Sequence, residues 1–238
     1  MRNSVEYLGR IEKVDSFTLH KGESALFMAK FDIMNFKELD EYIGVAYMQI
    51  TPEYAEQLLI EAGKRNNGPW ITHSQYAACL AEKIAQKAGM DNEKAYVLGL
   101  LHDIGRRNGM MEARHAWEGY LYLRDLGFEE GARICLTHTF QYQDVEAIYD
   151  TWDCSDEEKQ FIENYLKSII YDDYDKLIQL CDALSLSDGY CYAEQKMVSS
   201  VMKYGFKETT LSKWHAILEL KKYFDEKIKG DVYTLFEF

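Results

Sequence analysis

The sequence predicts a mainly all-α protein: a helical bundle preceded by a short N-terminal extension of mixed α/β character. Three observations carry that expectation. Only two prolines, Pro52 and Pro69, occur in 238 residues, so long stretches lack strong helix breakers. From Thr51 onward, cap residues and glycines bracket one apolar-patterned stretch after another. Hydrophobic residues make up 47% of the chain, ordinary for a globular core and too many for a disordered one. The length suits one large domain or a domain with a modest extension. The division expected is an extension over residues 1–50, packed on a main domain over 51–238.

In the extension, "DSFTLH" and "ALFMAKFDIM" carry short mixed patterns, and "NFKELDEYIG" reads as one short helix. Thr51-Pro52 then supplies an N-cap followed by proline at the first helical position, opening a helix that runs to "KRNNG". A second helix spans about Trp70 to Ala88, stopped by Gly89, and holds His73. A third starts at the Asp91 cap and carries His102 and Asp103, with Gly105 as its stop. A fourth covers about Glu112 to Leu126, with His115 in its first turn and Gly127 after it. A fifth runs from Glu129 to about Thr139, with His138 near its end. Ser155-Asp156-Glu157-Glu158 is a capping box for a sixth, to about Tyr171. "DKLIQLCDALSL" is a further apolar helix bearing Asp182, and the acidic run "DDYD" before it reads as a solvated helix start. The tail from about Thr210 to Lys229 is amphipathic through Leu211, Trp214, Leu218 and Phe224.

One stretch, "LGLLHDIGRR" at residues 99–108, demands a chemical explanation. The run before it is apolar on every face, and such a helix belongs in the centre of a domain. His102 and Asp103 should therefore be buried, and a buried carboxylate without a partner costs several kcal/mol. Three more histidines, His73, His115 and His138, fall in or next to apolar helical segments, each on its own predicted helix. Asp182 sits in its apolar helix much as Asp103 does. A lone core histidine is an ordinary hydrogen-bonding group, and a lone helical aspartate is ordinarily a cap. Six such groups strain one bundle core unless they share a centre. Four imidazoles and two carboxylates suit Mn, Fe, Co, Ni or Zn and suit Mg poorly.

The order His73…His102-Asp103…Asp182 resembles the signature of the HD-domain superfamily of metal-dependent phosphohydrolases over roughly residues 52–190. The literal His102-Asp103-Ile104-Gly105 points to its HDIG branch, as does "HAWEGYLYLRDLGFEEGARICLTH" (115–138). The resemblance implies an HD-type helical bundle. It also implies that His73, His102, Asp103 and Asp182 hold a first metal, with Asp103 as the bridge. His115 and His138 would complete a second site. The expected reaction is hydrolysis of a phosphoester by metal-activated water, with one or two divalent transition ions and a small phosphorylated substrate such as a nucleotide. Two other readings of this ligand pattern stay open: a di-iron oxygenase of the same fold, and a non-catalytic nucleotide-binding module.

Beside Asp103, the candidate catalytic and substrate-binding residues are Arg106 and Arg107, whose planar donor forks suit a phosphate. The alternative makes both surface cations at a helix end. Trp70, one helical turn before His73, is either a base-stacking residue at the pocket edge or a core residue. His20 and His215 have no partner at ligand spacing. A net charge of −13 opposes a nucleic-acid polymer as the main partner. No apolar run approaches the roughly 18 residues of a membrane span, and the first residues lack the apolar core of a signal peptide. Five cysteines without a CxxC spacing read as reduced thiols, and with them the expected compartment is the cytoplasm. Glycine-rich phosphate loops and a GxSxG elbow are absent.

Overall fold

Thr51 and Pro52 act as their chemistry demands: the Thr51 hydroxyl accepts from the Tyr54 amide, and α1 runs Pro52–Arg65. The structure is a computed structural model in which residues 50–149 and 151–237 are described. The expectations for the N-terminal extension, His20 included, concern residues 1–49 and lie outside the described residues. Helix α2 spans Trp70–Ala88 and ends on Gly89, whose φ of 70° lies in the left-handed region that glycine occupies without strain. Helix α3, Asn92–Leu101, is capped by the Asp91 carboxylate on the Lys94 amide. A short 3-10 helix follows over Ile104–Asn108. Then come α4 (Arg114–Asp125), α5 (Glu129–Thr137), α6 (Asp156–Ser168) and α7 (Asp173–Leu184). Helices α8 (Ala193–Tyr204) and α9 (Thr210–Ile228) complete the set among the described residues. The all-α expectation holds: the described residues contain no strand, only an isolated bridge between Ser185 and Tyr190.

Helix α3 is the centre of the bundle. Its Ala95, Val97, Leu98, Leu100 and Leu101 are each no more than 2% exposed. Each buried leucine contributes on the order of 2 kcal/mol. Gly99 sets how closely α3 meets α2, because a Cβ there would lie 2.8 Å from the Ala78 Cα. The contact is backbone against backbone, and it brings His102 of one helix to His73 of the other.

The structure corrects several boundaries. Helix α3 stops at Leu101, not at Gly105, so His102 and Asp103 sit in the turn that follows it. Residues in succession along a helix point about 100° apart. Leaving the helix at Asp103 (φ −101°, ψ 12°) frees the two side chains from that constraint. Gly105 is not a helix stop: a Cβ there would lie 2.0 Å from the His115 carbonyl oxygen and 2.5 Å from the Gly119 nitrogen, so it is a close-approach glycine against α4. Helices α4, α5 and α6 are each shorter than their sequence patterns by one to three residues at an end. Helix α8 has no counterpart in the sequence reading; it buries only Ala193 and Met197, too little to leave a strong apolar stripe.

Candidate metal centre

The groups that converge come from five separate places: His73 from α2, His102 and Asp103 from the end of α3, His115 from α4, His138 from the end of α5, and Asp182 from α7. Local sequence aims each ring. The His102 Nδ1 lies 2.6 Å from the Gly99 carbonyl oxygen, and the His138 Nδ1 lies 2.9 Å from that of Cys135. The His115 Nδ1 makes the same kind of contact with the Glu112 carbonyl. A carbonyl oxygen can only accept, so these three Nδ1 atoms carry the proton and donate. Their Nε2 atoms are then bare lone pairs. Backbone acceptors that fix the tautomer in this way are what orient metal-binding histidines.

Those bare nitrogens face chiefly one another and carboxylate oxygen, although Arg106 Nη2 also lies 3.4 Å from His115 Nε2. The His115 and His138 Nε2 atoms are 3.2 Å apart, and each faces the Asp103 Oδ1, at 3.1 and 3.5 Å. Asp103 Oδ1 is buried with no hydrogen-bond partner. On the other flank, the His73 and His102 Nε2 atoms are 3.3 Å apart, and the Asp182 Oδ1 lies 3.0 Å from the first and 4.0 Å from the second. An orphaned buried carboxylate oxygen among bare imidazole nitrogens is unfavourable unless a cation joins them. Two ligands each roughly 2.1 Å from one tetrahedral ion lie about 3.4 Å apart. The donor set therefore fits a transition ion in two groups: His73, His102 and Asp103 form one, with Asp182 beside it, and Asp103, His115 and His138 form the other. Asp103 is common to both.

The electrostatics agree. Burial lowers His102 to about 4, against the pull of Asp103, and burial with the Arg106 charge lowers His115 to about 3. Burial alone would raise the Asp103 carboxyl, but the Arg106 guanidinium and then His115 and His102 hold it well below the usual range. Asp182 follows the same logic, its burial outweighed by the His73 contact and by the Lys196 charge. Near neutral pH these imidazoles are neutral and both carboxylates ionised, the forms that bind cations. The nearby Cys135 stays a thiol, because burial pushes it well above its ordinary value, and its Sγ lies 3.4 Å from the Leu101 carbonyl oxygen.

Arg106 belongs to the centre: its Nε donates to Asp103 Oδ2 at 2.8 Å and its Nη1 to the Met111 carbonyl. Arg107 turns to α4, its guanidinium 3.8 Å from the centre of the Tyr122 ring. Trp70 is buried, and its indole N–H donates to the Asn66 carbonyl. This packing is what the core reading of Trp70 expects. His215 is exposed on α9. Asp175, read as part of a solvated acidic turn, is fully buried; Arg133 and the Thr137 hydroxyl hold it, fixing α5 to α7 and so His138 relative to Asp182. The sequence reading also missed Lys196, whose ammonium lies behind Asp182 on α8. It belongs to no motif, so its position in the sequence carries no signal.

Comparison with known proteins agrees with the geometry. The family model described as "HD domain" matches residues 70–187. Ribonuclease Y of Mycoplasmoides gallisepticum is 31% identical over 117 residues, 48% of this chain. The chain spans 18% of that relative's length. No solved structure matches. The matched region runs from the start of α2 past the end of α7 and contains every one of the six converging groups. Through residues 70–187, the chain belongs to the HD-domain superfamily.

Proposed function

We propose that the protein is a metal-dependent phosphohydrolase that cleaves a phosphoester of a small phosphorylated metabolite, a nucleotide being the leading class. The observation that carries this reading is the orphaned Asp103 Oδ1, shared by two groups of imidazole nitrogens. Bound at His73, His102, Asp103 and Asp182, and at His115 and His138 with Asp103, one or two ions of Fe, Mn, Co, Ni or Zn would supply Lewis acidity, lowering the pKa of water toward about 7 and stabilising charge on phosphoryl oxygens.

The chain's own residues do the rest. Arg106 keeps Asp103 ionised and engages its Oδ2, so Oδ1 is the atom that faces the histidines. The neutral imidazoles of His102 and His115 add no charge, which leaves the cations attractive to a phosphate inside a protein of net charge −13. The side chains of His73 and Asp182 are 13% and 24% exposed, against 0 to 2% for His102, His115 and His138. A substrate phosphate therefore meets the centre at the His73–Asp182 rim. The name of the Mycoplasmoides relative is that of an enzyme acting on RNA; here the acidic surface favours a small substrate over a polymer.

The test is metal analysis of protein purified without added metal, followed by phosphate release from a panel of phosphorylated metabolites under anaerobic conditions. Phosphate release without oxygen supports the hydrolase. Substrate loss that requires oxygen would favour the oxygenase of the same fold. Bound metal with no turnover in either atmosphere would favour a nucleotide-binding module.

A further inference from the structure

A second feature follows Asp182 along the chain, where α7 ends. After α7, the chain turns tightly: the Leu186 amide donates to the Gly189 carbonyl, and the Cys191 amide donates to that of Leu184. This turn is anchored to the helix that bears His73, because the Thr72 hydroxyl donates to the Ser187 carbonyl and the Tyr76 and Tyr190 rings meet edge to face. Between the turn and α8 lies a cavity of about 350 Å³, lined by Leu186, Tyr190, Tyr192, Gln195, Lys196 and Ser199, with Cys191 at its wall. Aromatic and apolar groups supply most of its lining, and Lys196 supplies its one charge.

Lys196 lines the cavity and reaches the end of α7, the helix that carries Asp182. Its ammonium is 3.0 Å from the Ser185 carbonyl oxygen and 3.4 Å from that of Asp182. Two carbonyl oxygens engage two of its three protons, and no carboxylate forms an ion pair with it among the described residues. A cation held there serves two purposes: it satisfies the end of α7 and it offers positive charge beside the rim through which a phosphate reaches the histidines. Its charge also helps keep Asp182 ionised.

We propose that this cavity is the subsite for the organic part of the substrate, that it takes a flat aromatic or apolar group, and that Lys196 is a binding residue for the adjoining phosphate. The proposal rests on the phosphohydrolase reading and adds to it where the organic part of the ester sits, which suits a phosphomonoester or diester of an aromatic-bearing alcohol. Tyr190, whose ring also meets Tyr76 and Phe236, and Tyr192, whose ring also meets Tyr233, supply aromatic surface, and Gln195 and Ser199 supply hydrogen-bonding groups at the exposed edge.

The experiment uses two non-hydrolysable probes, benzylphosphonate and methylphosphonate, titrated calorimetrically into the manganese-loaded protein. They share one head group and differ in the organic part. The parent should bind benzylphosphonate at least tenfold more tightly. Ser199→Trp, at an exposed position where the indole can fill the cavity, should collapse that ratio toward one. Lys196→Gln should weaken both probes about equally, by roughly tenfold, and Lys196→Arg should recover most of the loss. A melting curve for each variant separates a folding defect from a binding one. A parent ratio near one, or an unchanged ratio in Ser199→Trp, would overturn the subsite. Unchanged binding in Lys196→Gln would reduce Lys196 to an end cap of α7 and overturn its assignment. Phenyl phosphate turnover is measured separately: selective benzylphosphonate binding without turnover would count against the hydrolase and leave the subsite standing.

Discussion

At the scale of single residues, burial decides which groups count. Asp103 and the imidazoles of His102, His115 and His138 are sealed from water, and Asp103 Oδ1 faces the lone pairs of His115 and His138. Asp103→Ala is therefore expected to abolish metal binding and phosphate release, whereas His215→Ala and Asp188→Ala, both at exposed positions, should change neither. Metal content per chain, measured beside the parent, checks it; a full complement in the Asp103 variant would refute the assignment. Protons compete for the same lone pairs. The folded chain holds His102 down to about 4 and His115 to about 3, while the unfolded chain binds those protons near 6.5. Between 6.5 and about 4 the unfolded state thus carries more protons, and stability falls as pH falls, by on the order of 2 kcal/mol per imidazole. Asp103 and Asp182 are shifted downward from 3.8, so their contribution is lost only at lower pH and does not offset the histidines in this window. Melting temperatures of the metal-free protein from pH 7 to 4.5 should fall steadily, with a shallower fall in His102→Gln.

At the scale of helices and turns, the centre depends on contacts that carry no metal ligand. Asp175 is fully buried on α7 and accepts from Arg133 and Thr137 of α5. Removing one partner of a buried pair strands the other, so Asp175→Ala should cost about 3 kcal/mol, read from urea denaturation. Gly105→Ala would push a methyl into the backbone of α4 at His115 and Gly119. Overpacking of that kind costs about 1–3 kcal/mol, and here it should also disturb His115 and lower metal content. An unaltered melting temperature in Gly105→Ala would contradict the packing argument. These two residues also show where sequence stops being legible. Caps announced themselves through local hydrogen bonding, so Thr51, Asp91, Ser155 and Gly89 set helix ends where the pattern put them. The six chemistry-bearing side chains were legible because a polar group within an apolar helix has to be compensated by a partner or an ion. Gly105 and Asp175 were misread because their roles depend on what lies across the fold: a neighbouring backbone in one case, an arginine 42 residues away in the other. Lys196 was invisible for the same reason, since a lysine on a weakly patterned helix looks like any surface cation.

At the scale of the whole molecule, the centre is the point where α2, α3, α4, α5 and α7 meet, so any ion bound there ties the bundle together. Binding to the folded state alone stabilises by RT ln(1 + [L]/Kd), about 2.7 kcal/mol at one hundred times Kd. Adding manganese or iron to the metal-free protein should therefore raise its melting temperature in a concentration-dependent way. The number of ions then follows from how the ligands divide. His73, His102 and Asp182 face one flank of the cluster, and His115 and His138 face the other, with Asp103 common to both. If two ions bind, His115→Ala or His138→Ala should each remove about one ion per chain and leave the other in place, because the first flank keeps its own nitrogen and oxygen donors. Phosphate release should fall strongly in both variants, since the phosphoryl group loses one of the two charges set against it. Folding should survive, because His115 lies in the first turn of α4 and His138 just past the end of α5, where neither ring carries a helix interior. Removing either ring also relieves the crowding of bare nitrogens around Asp103 Oδ1, so the metal-free variants should melt no lower than the metal-free parent by more than about 2 kcal/mol, the lower range for a large-to-small core change. Metal content per chain and melting curves with and without added ion decide the matter together. A parent with a single ion, matched in metal and in rate by both variants, would leave one working site, built from His73, His102, Asp103 and Asp182.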